Sequence, residues 1–167
     1  MGLSHEQIIS HIQGSLDYPL KIIPDAYGVL CIEVPVHQIY RIINFLYKDE
    51  VLSIQFLTDL CGMHYPDDRG RELGVVYHLQ SMKNSTRLRI KVFVDITKPE
   101  VPSVTGIYAS ANWMERETYD FYGIQFLGHP NLIRILNMDE MVEFPMRKEF
   151  PLEDPKREDK VDLHFGR

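Results

Sequence analysis

Leu73 to Asp95 reads LGVVYHLQSMKNSTRLRIKVFVD, and its period decides the fold class. Leu73, Val75, Tyr77 and Leu79 alternate with Gly74, Val76, His78 and Gln80. Leu88, Ile90, Val92 and Val94 then alternate with Arg89, Lys91, Phe93 and Asp95. Side chains on an extended strand point to opposite faces in turn, so each run is a strand with one face turned to a core. Lys83-Asn84-Ser85 between them supplies turn chemistry, and the spacing predicts an antiparallel hairpin.

Working outward, Val29 to Val34 and Val51 to Leu57 read as further strands. Ile39, Ile42, Ile43, Leu46 and Tyr47 recur at helical spacing between those two. Ser4 and Gln7 form a capping box for a short helix through about His11, ended by Gly14 and the Pro19 region. Gly62, Pro66 and Asp67-Asp68-Arg69 mark a loop, and Pro99 and Pro102 open another. The resulting order is helix, strand, helix, three strands, helix and tail. It predicts an α+β, two-layer fold with helices on one face of a mixed β-sheet, residues 1–144 forming the domain and 145–167 an extended C-terminal arm rich in proline and charge. Phe150, Leu152, Leu163 and Phe165 are spaced along that arm as apolar anchors for a neighbouring surface, and for the last dozen residues a disordered terminus is an equal alternative.

A chain of 167 residues fits one domain and buries roughly 70% of its unfolded surface. Its 18 basic and 24 acidic residues give a net charge of −6, opposite to the footprint of a protein that neutralises phosphates. Phe93 on the strand LRIKVFVD is a single aromatic where a base-stacking sheet needs several. No apolar run approaches the roughly 20 residues of a membrane span, and the N-terminus lacks the pattern of a signal peptide, so membrane association is expected only through other subunits. Cys31 and Cys61 fit a reducing compartment and are expected to be buried apolar thiols.

Downstream, Asn112 to Leu136 reads NWMERETYDFYGIQFLGHPNLIRIL. A helix over Trp113 to Tyr122 would place Trp113, Met114 and Phe121 in one apolar arc, with Glu117 in its middle and Gly123 as its stop. A carboxylate on a core-facing stripe needs a partner, so Glu117 is expected to be paired, with an arginine of this chain or across an interface.

The same stretch resembles the signature of the 30-kDa subunit family of respiratory complex I. The likeness rests on Glu115, Arg116, Glu117, Asp120, Phe121, Gly123, Ile124, Phe126, Gly128, His129, Pro130, Leu132, Arg134, Ile135 and Leu136. A second block, Pro145-Met146-Arg147-Lys148-Glu149-Phe150-Pro151-Leu152, continues it, and weaker likeness reaches Val101 to Thr105 and Leu57 to Leu60. Asn131, Ile133, His64 and Phe144 depart from the family pattern, so a role resting on the arginine usual at Ile133 does not carry over.

The resemblance implies a non-redox scaffold subunit in the peripheral arm of a proton-translocating NADH:quinone oxidoreductase. Such a subunit packs against the quinone-site large subunit and the iron–sulfur subunits on the cytoplasmic face of the bacterial inner membrane. Flavin, iron–sulfur clusters and quinone are then expected on partner subunits. The same subunit in a membrane-bound hydrogenase or in a ferredoxin- or deazaflavin-dependent quinone reductase is the alternative. Glu115, Arg116, Glu117, Asp120, Gly123, His129, Pro130, Arg134, Arg147 and Lys148 form the signature and the expected interface.

The residues themselves agree with a chain that carries no cofactor. There is no Gly-x-Gly-x-x-Gly, no phosphate loop, and too few cysteines for a cluster. Cys61-x-x-His64 is half a metal site, and the seven histidines are scattered. Glu115, Glu117, Asp120 and His129 suit an ion-pair network better than a free-standing acid–base enzyme, because no nucleophile or oxyanion donor accompanies them.

Overall fold

The computed structural model describes residues 3–16, 19–24 and 27–150. Helix α1 (His5–Leu16) is followed by strands β1 (Lys21–Ile23) and β2 (Leu30–Glu33). A 3-10 turn (Val36–Gln38) leads into α2 (Ile39–Lys48), after which come β3 (Phe56–His64), β4 (Leu73–Ser81) and β5 (Thr86–Val94). The chain then runs through β6 (Glu100–Pro102), α3 (Ala111–Tyr122) and β7 (Gln125–Leu127). Five strands form one sheet in the order β1-β2-β5-β4-β3, and β6 and β7 form a second, two-stranded parallel sheet. The large sheet is mixed: β2 runs parallel to β5, and the other neighbours are antiparallel. The α+β expectation therefore holds.

The alternation at the centre becomes the core. Leu73, Val75, Tyr77 and Leu79 from β4 and Leu88, Ile90 and Val92 from β5 are all nearly inaccessible. They pack with Ile8 and Ile12 of α1 and Ile39, Ile42, Ile43 and Leu46 of α2. The hairpin closes with Ser81 opposite Thr86, and Ser85 adopts a positive φ of 53° in the connection. The capping box forms as read: the Ser4 N–H donates to Gln7 Oε1 at 2.9 Å, and the Gln7 N–H donates to Ser4 Oγ at 3.3 Å.

Strand β3 starts later than the apolar run Val51 to Leu57 predicts. Residues 49–55 form a turn in which Asp49 Oδ1 accepts the N–H groups of Val51 and Leu52, while Leu52 and Ile54 are buried from irregular backbone. Gly62, read as a loop marker, lies inside β3 instead. A Cβ built there would meet the Tyr122 ring at 2.3 Å, so the glycine lets the end of α3 lie directly on the edge strand. Gly62→Ala is expected to cost about 1–3 kcal/mol by forcing that ring aside, read as a lower urea midpoint with an unchanged m-value.

Glu100–Pro102, expected as loop, pairs with β7 with Val101 opposite Phe126. A strand at the edge of a two-stranded sheet tolerates Pro102, whose missing N–H leaves no ladder bond unmade. Helix α1 also runs past His11 to Leu16, with Gly14 facing open space.

Candidate functional site

Helix α3 carries the signature, and it presents the opposite face from the one its apolar arc suggests. Ala111, Glu115, Thr118 and Asp120 are buried, whereas Trp113 is 61% exposed and Glu117 is exposed. The apolar-arc reading fails because this helix meets the domain through small and hydrogen-bonded polar side chains, with only Met114 of the arc packed partly on the core. The expectation that Glu117 sits on a core-facing stripe, desolvated within this chain, is corrected accordingly. The buried carboxylates are Glu115 and Asp120.

Glu115 plugs into the loop after β6. One carboxylate oxygen accepts the Val104 N–H at 2.7 Å and the other lies 2.6 Å from Ser103 Oγ, which in turn contacts Thr105 Oγ1 at 2.8 Å. The small parallel sheet fixes that loop, since the Ser103 N–H donates to Leu127 O at 2.9 Å. The faint family likeness at Val101 to Thr105 thus has a physical counterpart: these residues form the socket for Glu115. Burial outweighs the two hydrogen bonds and pushes the Glu115 carboxyl up to about 7. Burial, and secondarily the Glu115 charge, also push the hydroxyl of Tyr77 upward.

Asp120 organises the next segment, residues 128–150, a strap with no helix or strand. Its Oδ2 accepts the N–H groups of Ile135, Leu136 and Asn137 at 3.1, 2.8 and 2.9 Å. Its Oδ1 accepts from Arg134 Nη1 at 2.7 Å and from Asn137 Nδ2 at 3.0 Å. Burial alone would raise this carboxyl, but the hydrogen bonds from Asn137, Leu136 and Arg134 prevail and hold it well below the usual carboxylate range.

The remaining signature residues pin the same strap. Arg116 donates to the carbonyls of Ile133 and Arg134 and lies over the Trp113 ring. His129 Nδ1 accepts the Asn131 N–H at 3.0 Å, which leaves Nε2 as the protonated nitrogen facing Asn112 O at 3.1 Å. Gly123 ends α3 with a φ of 76°, and the Phe144 ring and Arg147 close over it. Arg134 and Arg147 both stack on Phe144. Pro130 and Lys148 are exposed, although the Lys148 N–H donates to His64 Nδ1 at 2.8 Å.

The Met146 N–H donates to Phe121 O and Arg147 Nε to Tyr122 O, so contacts with α3 continue past Pro145. The part of the expected arm from Pro151 onward lies outside the described residues. Apolar side chains on the strap face outward: Ile133, Leu136, Met138, Val142 and Met146 are each more than half exposed. Sequence reasoning put the polar residues that hold the strap at the expected interface, took Leu136 and Met146 only as motif matches and Ile133 only as a departure, and did not name Met138 or Val142.

Among protein families, the one described as "Respiratory-chain NADH dehydrogenase, 30 Kd subunit" has a model that matches residues 32–156. The chain belongs to this family. The 30-kDa family match spans the core hairpin, the Glu115 socket and the strap. Among curated relatives, the C 2 subunit of NADH-quinone oxidoreductase from Rhizobium meliloti (strain 1021) is 43% identical over 145 residues, covering 86% of this chain and 78% of the relative. The C subunit of NADH-quinone oxidoreductase from Nocardioides sp. (strain ATCC BAA-499 / JS614) is 45% identical over 119 residues, covering 71% of this chain but only 45% of the relative's length.

Two solved structures share the fold. A trypsin-resistant fragment of Nqo5 matches with a TM-score of 0.65 and 30% identity, over 76% of this chain and 98% of that one. A chain in the structure of the membrane-bound sulfane sulfur reductase, an archaeal respiratory membrane complex, matches with a TM-score of 0.74 over 93% of this chain and 96% of that one. At 24% identity this second likeness is one of fold. No described helix is long and apolar enough to cross a membrane.

Proposed function

We propose that this chain is a non-redox scaffold subunit of the peripheral arm of a proton-translocating NADH:quinone oxidoreductase, docked at the cytoplasmic face of the bacterial inner membrane. The observation that carries the reading is the division of labour at the strap. Its polar signature residues turn inward to Asp120, Arg116 and Phe144, and its apolar residues turn outward without cover from the described residues. An apolar surface held in one shape by internal charge is what a permanent protein–protein interface requires. Its partners are the quinone-site large subunit and the iron–sulfur subunits, which bear the flavin, clusters and quinone. Relatives named as NADH-quinone oxidoreductase subunits favour this assembly over a hydrogenase-type one.

The test is a charge substitution on the exposed face: Leu136→Glu, Met138→Glu and Val142→Glu together. These side chains are 65%, 73% and 81% exposed, so the melting temperature of the isolated chain should stay nearly unchanged. The variant should fail to co-purify with the native complex, and membrane NADH:quinone turnover should fall with it. Full assembly of the triple variant would sink the reading. The isolated chain is further expected to be colourless and silent in electron paramagnetic resonance, and a bound flavin or cluster signal would overturn the non-redox role.

A further inference from the structure

We propose a zinc-type metal site on the sheet face opposite α1 and α2, formed by Asp59, Cys61 and His78. Alternation along β3 sends Asp59 and Cys61 to the same face, and the antiparallel register sets His78 of β4 directly across from Asp59. One carboxylate oxygen, the Cys61 sulfur and one imidazole nitrogen all lie within 4.8 Å of one another. In a tetrahedral zinc site, bonds of about 2.0–2.3 Å separate the ligand atoms by about 3.4 Å, so small rotamer adjustments of these side chains close the triad on an ion.

The donor set selects the metal class. A thiolate with an imidazole disfavours calcium and magnesium, and the mixed N, S and O donors suit a borderline divalent ion. Asp59 and Cys61 also line a cavity of about 390 Å³ with Glu117 of α3, a signature residue that holds neither the strap nor the Ser103 loop. This cavity has room for water as a fourth ligand, and Glu117 adds negative charge beside it. Arg89, paired with His78 in the β4–β5 register, is the nearby opposing charge.

Binding breaks the Cys61 S–H bond, forms the metal–sulfur bond and releases the proton to solvent, with no change in oxidation state. The only spacing the sequence offered, Cys61-x-x-His64, is not the site. His64 lies on the core side of β3, 7% exposed, and is engaged by the Lys148 N–H.

The experiment is a titration of the chelator-treated full chain with cobalt(II), followed by displacement with zinc. One equivalent should bind, with a thiolate-to-cobalt charge-transfer band and the visible bands of a tetrahedral ion, both lost on adding zinc. Cys61→Ser should abolish the charge-transfer band, whereas Cys31→Ser, which removes the buried thiol, should keep it. His78→Ala should weaken binding by about tenfold or more, and Arg89→Gln should tighten it. Circular dichroism reports that each variant is folded. No charge-transfer band at any cobalt concentration, a band that survives Cys61→Ser, or unchanged affinity in His78→Ala would each overturn the site.

Discussion

Asp120→Ala should lower the stability of the isolated chain by about 3–5 kcal/mol, the cost typical of removing one partner of a buried charged pair. The carboxylate is fully buried and its Arg134 partner is 8% exposed at the side chain. Truncation leaves that guanidinium without its counter-charge, held only by the carbonyls of Asp120 and Glu143, and the N–H groups of Ile135, Leu136 and Asn137 without their acceptor. For a chain of this size the loss amounts to a fall in Tm of about 10 °C. Asp120→Asn keeps the shape but offers one acceptor oxygen in place of two, and should fall between wild type and alanine. The pH dependence has a definite sign. The folded-state pKa is depressed, so the contribution is fully present above the unfolded value and is lost as pH falls through the acid range toward the folded one. A Tm within about 2 °C of wild type for Asp120→Ala would show that the strap is held by other means.

Glu115 should give the opposite pH response. Its folded pKa, raised to about 7 from 4.5, means that the native state holds a proton the unfolded chain has released. The Glu115 contribution should therefore be fully present below about pH 4.5 and decline as pH rises to about 7, by roughly 3 kcal/mol if the full shift is expressed. A protonated Glu115 donates to Ser103 Oγ, which passes its own proton toward Thr105, while the other carboxyl oxygen still accepts from Val104. Glutamine reproduces that arrangement without a titrating group. The difference in unfolding free energy between wild type and Glu115→Gln, followed by urea titration from pH 5 to 8, should change sharply in favour of glutamine, and histidines elsewhere cancel in the subtraction. Glu115→Ala removes the same titration, so its difference from wild type should shift with pH as that of glutamine does; it should lie about 2–4 kcal/mol below Glu115→Gln at every pH, because the Val104 N–H and the Ser103 hydroxyl lose their partner. A flat difference for Glu115→Gln would mean that Glu115 stays ionised in the fold.

These two carboxylates mark where the sequence could be read and where it could not. The β4–β5 hairpin was legible because period-two alternation over nine residues per strand leaves one face for the core. The strands β1, β6 and β7 have three residues each, too few for a period to register, and Pro102 argued against the second of them. On α3 the charge cluster was visible, but periodicity chose the wrong carboxylate. The rule assumes that the buried face is the apolar one, and this helix buries Glu115, Thr118 and Asp120 because a socket at Ser103 and a strap at Leu136 supply their hydrogen bonds. Neither partner is adjacent in sequence. Cys61 was misjudged as buried for a related reason: burial of a strand residue depends on whether its face is covered, and α3 only borders the cavity on that one. The meeting of Asp59, Cys61 and His78 depends on register across β3 and β4, which a single chain's spacing does not encode.

The strap from Gly128 to Phe150 has a kinetic consequence. An irregular segment that became ordered only on docking would lose roughly 1 kcal/mol of backbone entropy per residue at the moment of encounter, slowing productive association or shortening its lifetime. Here Asp120 and its neighbours have already imposed that order within a single subunit. On the docking role proposed above, the subunit arrives with that surface set, and its encounters with a partner become rigid-body events whose rate is limited by diffusion and orientation. Such a subunit suits an early place in the order of assembly, as a template on which less ordered partners complete their own folding.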